Sequence, residues 1–282
     1  MVADQGRPPY RDGPGVARDS AQAPVSRALH VEAWGDPEAP RIIYLHGVTG
    51  QGRHAQALAQ GWLRDYHVLA PDLLGHGSSP YEPPWSIASH VSLLLDSLGS
   101  QPAVWIGHSF SGRLAIEIAA LHPGLVNRLV LLDPAILLDP AIALHVAESA
   151  RADRSYASFE DGVDRRFEES ALHNAPRELV ADDLRGFLVA DADGRWRYRY
   201  CQAAVIAAYG EMASKPPPFE AVRIPTLLVL GEDSYIRYDD LLEDHQAALG
   251  DLLQVVTVPG GHTVLWDALE ETANAISAFL RT

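Results

Sequence analysis

Short apolar runs recur along the chain, each bounded by turn residues: LHVEAW from Leu29, RIIYLH from Arg41, YHVLAP from Tyr66, AVWIG from Ala103, RLVLLD from Arg128, PTLLVLG from Pro225 and LLQVVTVP from Leu252. Several are apolar at successive positions rather than at every second one. A strand covered on one face alternates, whereas a strand buried on both faces has no polar side, so continuous runs mark a mainly parallel sheet. Between the runs, Ala55 to Arg64, Ile87 to Leu98, Gly112 to Leu121 and Leu269 to Leu280 space their apolar residues as a helix does. Strand and helix alternate, which is the order of an α/β fold. The pattern predicts a mostly parallel central sheet of about eight strands flanked by helices.

The rhythm breaks between Pro134 and about Phe219. Helical stretches lie there at Ala141 to Ala150, Asp161 to Glu169, Pro176 to Val189 and Cys201 to Met212, with no clear strand of the sheet. The segment closes on KPPP, Lys215 to Pro218, a stiff return linker. It is far longer than one crossover needs. We read residues 134–219 as an inserted helical cap over a core made of 25–133 and 220–282. Residues 1–24, rich in Gly, Pro and charge, read as a flexible N-terminal arm. Inside the cap, Arg195-Trp196-Arg197-Tyr198-Arg199-Tyr200 alternates charge and ring. Its arginines either meet an anionic substrate or stand in water along an amphipathic edge.

A chain of 282 residues, 47% of them hydrophobic, suffices for one α/β domain with an insertion. The net charge of −15 disfavours nucleic acid and anionic membrane surfaces as partners. Cys201 is the single cysteine, so no intrachain disulfide forms, and packing in the cap explains it better than nucleophilic chemistry does. No apolar run reaches membrane-spanning length, and the N-terminus lacks the apolar region of a secretory signal. These features predict a cytoplasmic protein and leave its oligomeric state open.

Chemistry concentrates where the run AVWIG ends. Gly107-His108-Ser109-Phe110-Ser111-Gly112 sets a serine between small residues at a strand-to-helix corner. A serine hydroxyl needs exposure and a neighbouring base to become a nucleophile, and a sharp turn supplies the exposure. The N–H groups and dipole of the following helix favour an oxyanion there. This stretch resembles the G-x-S-x-G elbow of the α/β-hydrolase family, with Ser111 in place of the second glycine. The resemblance extends to RIIYLHG (41–47), PDLLGHGSS (71–79), IPTLLVLGED (224–233) and VPGGH (258–262), in the family's chain order.

Membership would imply Ser109 as nucleophile, an acid, and a late histidine as base. His262 fits the base. Asp233, just past the strand PTLLVLG, fits the acid; Asp133, ending RLVLLD, is the alternative, and a helix cap or turn is the bland role for either. The backbone N–H groups of Val48 and Phe110 would form the oxyanion hole. His46 and His76 would buttress loops, and His108 would be a turn residue. A serine at the elbow, rather than the aspartate of epoxide hydrolases and dehalogenases, implies an acyl-enzyme. The expected activity is hydrolysis of a small or medium, largely apolar carboxylic ester or lactone, with no cofactor and no metal. A non-hydrolytic member of the same fold is the alternative: an acyltransferase, a cofactor-independent oxidant or lyase, or a ligand receptor. A remoter one is an NAD(P)-dependent oxidoreductase, because Gly50-Gln51-Gly52-Arg53-His54-Ala55 with Asp72 outlines a dinucleotide fingerprint. Against it, the first glycine lies several residues past the strand, and Lys215 is the only lysine.

Overall fold

The computed structural model describes residues 28–282; the segment read as an N-terminal arm lies outside the described residues. In chain order the elements are β1 (Val31–Trp34), β2 (Arg41–Leu45), α1 (Gln56–Gly61), β3 (His67–Pro71), α2 (Ile87–Leu98), β4 (Ala103–His108), α3 (Phe110–Leu121) and β5 (Val126–Leu132). An insert follows, with α4 (Pro140–Ser149), β6 (Ser155–Tyr156), α5 (Phe159–Glu169), α6 (Arg177–Leu184), β7 (Leu188–Ala190), β8 (Trp196–Tyr198) and α7 (Gln202–Met212). The chain then returns through β9 (Thr226–Gly231), α8 (Asp239–Leu249), β10 (Leu253–Val258), α9 (Val264–Asp267) and α10 (Leu269–Leu280).

Among the described residues the main sheet has seven strands in the order β1-β3-β2-β4-β5-β9-β10, all parallel except β1, which pairs antiparallel with β3. These are the seven runs read from the sequence, one fewer than the size first expected. Their continuous apolarity has the anticipated cause. Ile43, Leu45, Trp105, Leu129, Leu131 and Leu228 face α2, α3 and α8. The intervening Ile42, Tyr44, Ile106, Val130, Leu132 and Val229 face α1 and α10. Fully burying one such side chain contributes roughly 1.5–3 kcal/mol, so both faces hold the strand ends in register.

The insert differs from the purely helical expectation. It carries a second sheet of three short strands, in the order β6-β8-β7. The helix expected over Pro176 to Val189 stops at Leu184, where Gly186 adopts a φ of 79° and the chain turns into β7. Asp191-Ala192-Asp193-Gly194 then turns β7 back onto β8, whose alternating residues are the arginine–aromatic run. Tyr198 is buried with Tyr156, Phe187 and Leu188 in a core of the insert's own, joined by Trp266 from α9. The arginines point away from that core: Arg197 pairs with Asp191 and Asp193, and Arg195 donates to the Ser155 carbonyl oxygen at 2.6 Å.

One buried arginine ties both ends of the insert to the main domain. Arg113, on α3, donates to the carbonyl oxygens of Ile136 (3.1 Å) at the entry and of Ser214 (2.8 Å) and Lys215 (2.9 Å) at the exit. Glu117 one turn later balances its charge at 2.8 Å. α3 thus carries the elbow at its first turn and the root of the insert just beyond it.

Candidate active site

β4 ends at His108 and α3 begins at Phe110, leaving Ser109 alone to make the corner. Its backbone takes φ 55° and ψ −123°, a conformation that non-glycine residues avoid and that survives only where the surroundings over-determine it. They do so here. Ser109 N–H donates to Leu132 O (3.1 Å), and Ser109 O accepts from Gly112 N–H (2.9 Å) and Ala135 N–H (3.0 Å). Gly107 is required because any Cβ there would overlap the Ser111 carbonyl. Ser111, where the family motif has glycine, faces no such conflict: its hydroxyl donates to the His46 carbonyl and ties the elbow to the loop after β2.

Three side chains meet at this corner. Ser109 Oγ lies 2.8 Å from His262 Nε2, and His262 Nδ1 lies 2.6 Å from Asp133 Oδ2. Asp133 follows β5 with a φ of 40°, and its carboxylate is almost wholly buried. It accepts further bonds from Gly231 N–H (2.9 Å) and Ser234 Oγ–H (2.5 Å). With the carboxylate accepting from Nδ1–H, Nε2 is left free to accept the serine proton.

Asp233 is placed elsewhere. Its backbone N–H donates to Gly260 O at 2.9 Å, its side chain is exposed, and among the described residues it makes no bond to His262. The structure brings Asp133 to the imidazole, not Asp233. Loop register supplies the reason: after β9 it is Ser234 that turns inward to the acid's position, while Asp233, one residue earlier, is exposed. The loop after β9 instead supports Asp133 through Gly231 and Ser234.

The imidazole is held from behind as well. His108 Nε2 donates to the His262 carbonyl at 2.9 Å, and burial pushes His108 well below the usual histidine range. Asp267, buried at the end of α9, was not singled out in the sequence. Its Oδ2 accepts from Gly261 N–H (2.7 Å), beside the imidazole. Its Oδ1 accepts from the backbone N–H groups of His173 (2.9 Å), Asn174 (2.9 Å) and Ala175 (3.0 Å) in the insert.

Gly47, in the loop after β2, brings that loop against Ser109: a Cβ on it would stand 2.9 Å from the Ser109 Cβ. Val48 follows and lines the cavity in front of the serine. Phe110 N–H, at the first position of α3, has no acceptor within its own helix. His46 braces the loop, donating from Nδ1 to Gly47 O (2.7 Å) and accepting at Nε2 from Leu73 N–H (2.9 Å). Burial pushes its pKa down to about 3, so it stays neutral in that role. Asp72 of the dinucleotide-like outline is occupied internally, accepting from Gly52 N–H (2.8 Å) and Ser78 N–H (2.8 Å).

Ser109 and His262 open into a cavity of about 440 Å³. The insert supplies one wall that is apolar, from Leu138, Ile142, Val146 and Met212, and another that is charged, from Arg154, Arg166 and Glu169. Among the described residues no cluster of three or more metal-ligating side chains occurs, and no helix is long and apolar enough to cross a membrane.

Comparison with known proteins agrees with this architecture. The family model described as "Alpha/beta hydrolase family" matches residues 42–275. The lipase LipV of Mycobacterium tuberculosis is 34% identical over 243 residues, covering 84% of this chain and 91% of its own. The sn-1-specific diacylglycerol lipase ABHD11 of Mus musculus is 27% identical, covering 87% and 82%. Among solved structures, E-2-(acetamidomethylene)succinate hydrolase superposes with a TM-score of 0.79 over 90% of this chain and 95% of its own; at 23% identity it speaks for the fold alone. Continuous two-faced strands, a serine on a strained corner and the extent of the family match lead to one assignment: this chain belongs to the alpha/beta hydrolase family.

Proposed function

We propose that the protein is a serine hydrolase that cleaves small or medium carboxylic esters or lactones through an acyl-serine. The observation that carries this is the unbroken relay Ser109 Oγ–His262 Nε2 (2.8 Å) and His262 Nδ1–Asp133 Oδ2 (2.6 Å), at the floor of the cavity. The names of the lipase and esterase relatives favour an ester substrate.

Each residue then has one task. Ser109 Oγ attacks the carbonyl carbon while His262 Nε2 takes its proton, and Asp133 stabilises the resulting imidazolium. Charge appears on the carbonyl oxygen as the tetrahedral state forms, and the N–H groups of Val48 and Phe110 receive it. His262 returns the proton to the leaving alcohol, and the C–O bond to that alcohol breaks. Water, deprotonated by the same imidazole, attacks the acyl-serine, and its proton passes back to Ser109 as the acid departs. Residues 134–219 act as a cap that sets specificity. A cavity of about 440 Å³ is at the small end of the range for drug-sized ligands, which suits a short or medium acyl group.

A fluorophosphonate probe and a panel of p-nitrophenyl esters test the proposal. Wild type should label once and release p-nitrophenolate, and Ser109→Ala should do neither. Labelling at another residue, or undiminished turnover by Ser109→Ala, would refute it.

A further inference from the structure

The charged side chains of the insert are mostly matched. Arg154 faces Glu169 at 3.6 Å, Arg177 faces Asp164 at 2.8 Å, and Arg197 faces Asp193 at 2.8 Å. Arg166 is the exception in the cavity wall. It is only 5% exposed, yet no carboxylate among the described residues comes within 4 Å of its guanidinium. Nη1 donates to Thr49 Oγ1 at 3.3 Å and Nη2 to Thr49 O at 3.2 Å, both long, and buried Nε has no acceptor. The guanidinium rests on two rings, its carbon 5.2 Å from the centre of Tyr198 and 5.4 Å from that of Trp266.

The neighbouring acids do not reach it. Glu169, in the same wall, takes Arg154 and two contacts from the Tyr156 hydroxyl at 3.0 Å. Asp183, behind Trp266, takes the indole N–H on Oδ2 at 3.1 Å, with His54 Nε2 2.8 Å from the same oxygen, and among the described residues neither of its oxygens comes within 4 Å of Arg166. An arginine out of water with no counter-ion is costly, and chains keep such a group where something else supplies the anion. The guanidinium fork suits a planar carboxylate best, because two parallel N–H···O bonds form at once. The ring stacking fixes the fork in advance, so little freedom remains to be lost on binding.

We propose that Arg166 is the counter-ion for a free carboxylate on the substrate, so that the preferred substrates are carboxylic esters carrying a second, ionised carboxyl group. Thr49 follows Val48, so the carboxylate docks at the oxyanion-loop end of the cavity, a few bonds from the scissile carbonyl. The inference deepens the esterase reading and rests on it for the identity of the reacting group.

A matched pair of substrates tests this. Mono-p-nitrophenyl glutarate carries the free carboxylate, and its methyl ester has the same length without the charge. Wild type should favour the charged ester by tenfold or more in kcat/KM. In Arg166→Gln that preference should be lost, a fall of tenfold or more in the ratio, chiefly through KM, and Arg166→Lys should restore part of it. Free glutarate should inhibit wild type competitively. Equal turnover of the two esters by wild type, with no inhibition by glutarate, would leave hydrolysis intact and overturn the carboxylate site. So would inorganic phosphate inhibiting as strongly as glutarate at matched ionic strength. Calorimetric titration of glutarate into Ser109→Ala reads the site without turnover: binding there, lost on adding Arg166→Gln, supports it even if neither ester is cleaved. Should Arg166→Gln fail to fold, the wild-type ester ratio and glutarate inhibition decide alone.

Discussion

Asparagine at position 133 would keep the shape of the proposed triad and remove its logic. The carboxylate now accepts three bonds, from His262 Nδ1 (2.6 Å), Gly231 N–H (2.9 Å) and Ser234 Oγ–H (2.5 Å). An amide can keep one oxygen toward Gly231, but its NH2 then faces His262 and donates to Nδ1. That flips the imidazole to the tautomer with hydrogen on Nε2, which cannot accept from Ser109. The charge-assisted bond to the developing imidazolium, worth about 1.5–3 kcal/mol, goes as well. The two losses together should approach the roughly 10⁴-fold fall in kcat that the same exchange causes in another serine triad, about 5.5 kcal/mol. The fold should tolerate the change, because φ is 40° at this position and asparagine enters the left-handed region readily. Asp233→Ala is the paired control: an exposed side chain without a bond to the imidazole should alter kcat/KM less than threefold. The assay is p-nitrophenyl ester turnover, with a thermal melt to confirm that both variants fold. A large loss in Asp233→Ala beside near-wild-type rates in Asp133→Asn would refute the assignment of Asp133.

Acid should weaken the fold before it reaches the carboxylates. His46, His76 and His90 are each pushed down to about 3 by burial, below the ordinary 6.5, so between those pH values the unfolded chain binds more protons. Their stabilisation is complete above about pH 7 and falls with pH, by about 2 kcal/mol per histidine at pH 5; urea titrations at pH 7.5 and 5 that give equal stability would contradict this. Asp267→Ala strands four backbone N–H groups, those of Gly261, His173, Asn174 and Ala175, and should cost about 4 kcal/mol. It should lower kcat too, since Gly261 precedes the proposed base; an unchanged melting temperature would show that the hub is dispensable.

What could be read from the sequence was local, and what could not was a matter of which segments become neighbours. The strands of the main sheet announce themselves because both faces are buried, which leaves each run apolar throughout. The elbow is legible because a strained corner needs small residues beside it, and Ser111 passes that test on size while adding a bond to His46 that size alone does not suggest. The hairpin of the insert was hidden behind a helical spacing that ends at Leu184, although the Asp-Gly turn at Asp193-Gly194 carried a hairpin signal. The choice between Asp133 and Asp233 was different in kind. Both end a buried strand and both have turn chemistry, so nothing within either segment separates them. The separation lies in how the two loops meet: the loop after β9 reaches the same spot but turns Ser234 inward and Asp233 outward, leaving Asp133 at the imidazole. The same holds for Arg166 and Thr49, which meet across 117 positions of chain. An arginine on an amphipathic helix reads as a solvated charge; only the packing of α5 against the loop after β2 takes it out of water and leaves it short of an anion. Residues that perform chemistry by their own type are therefore visible early, whereas residues that act through the charge they lack become visible only when the neighbours are in place.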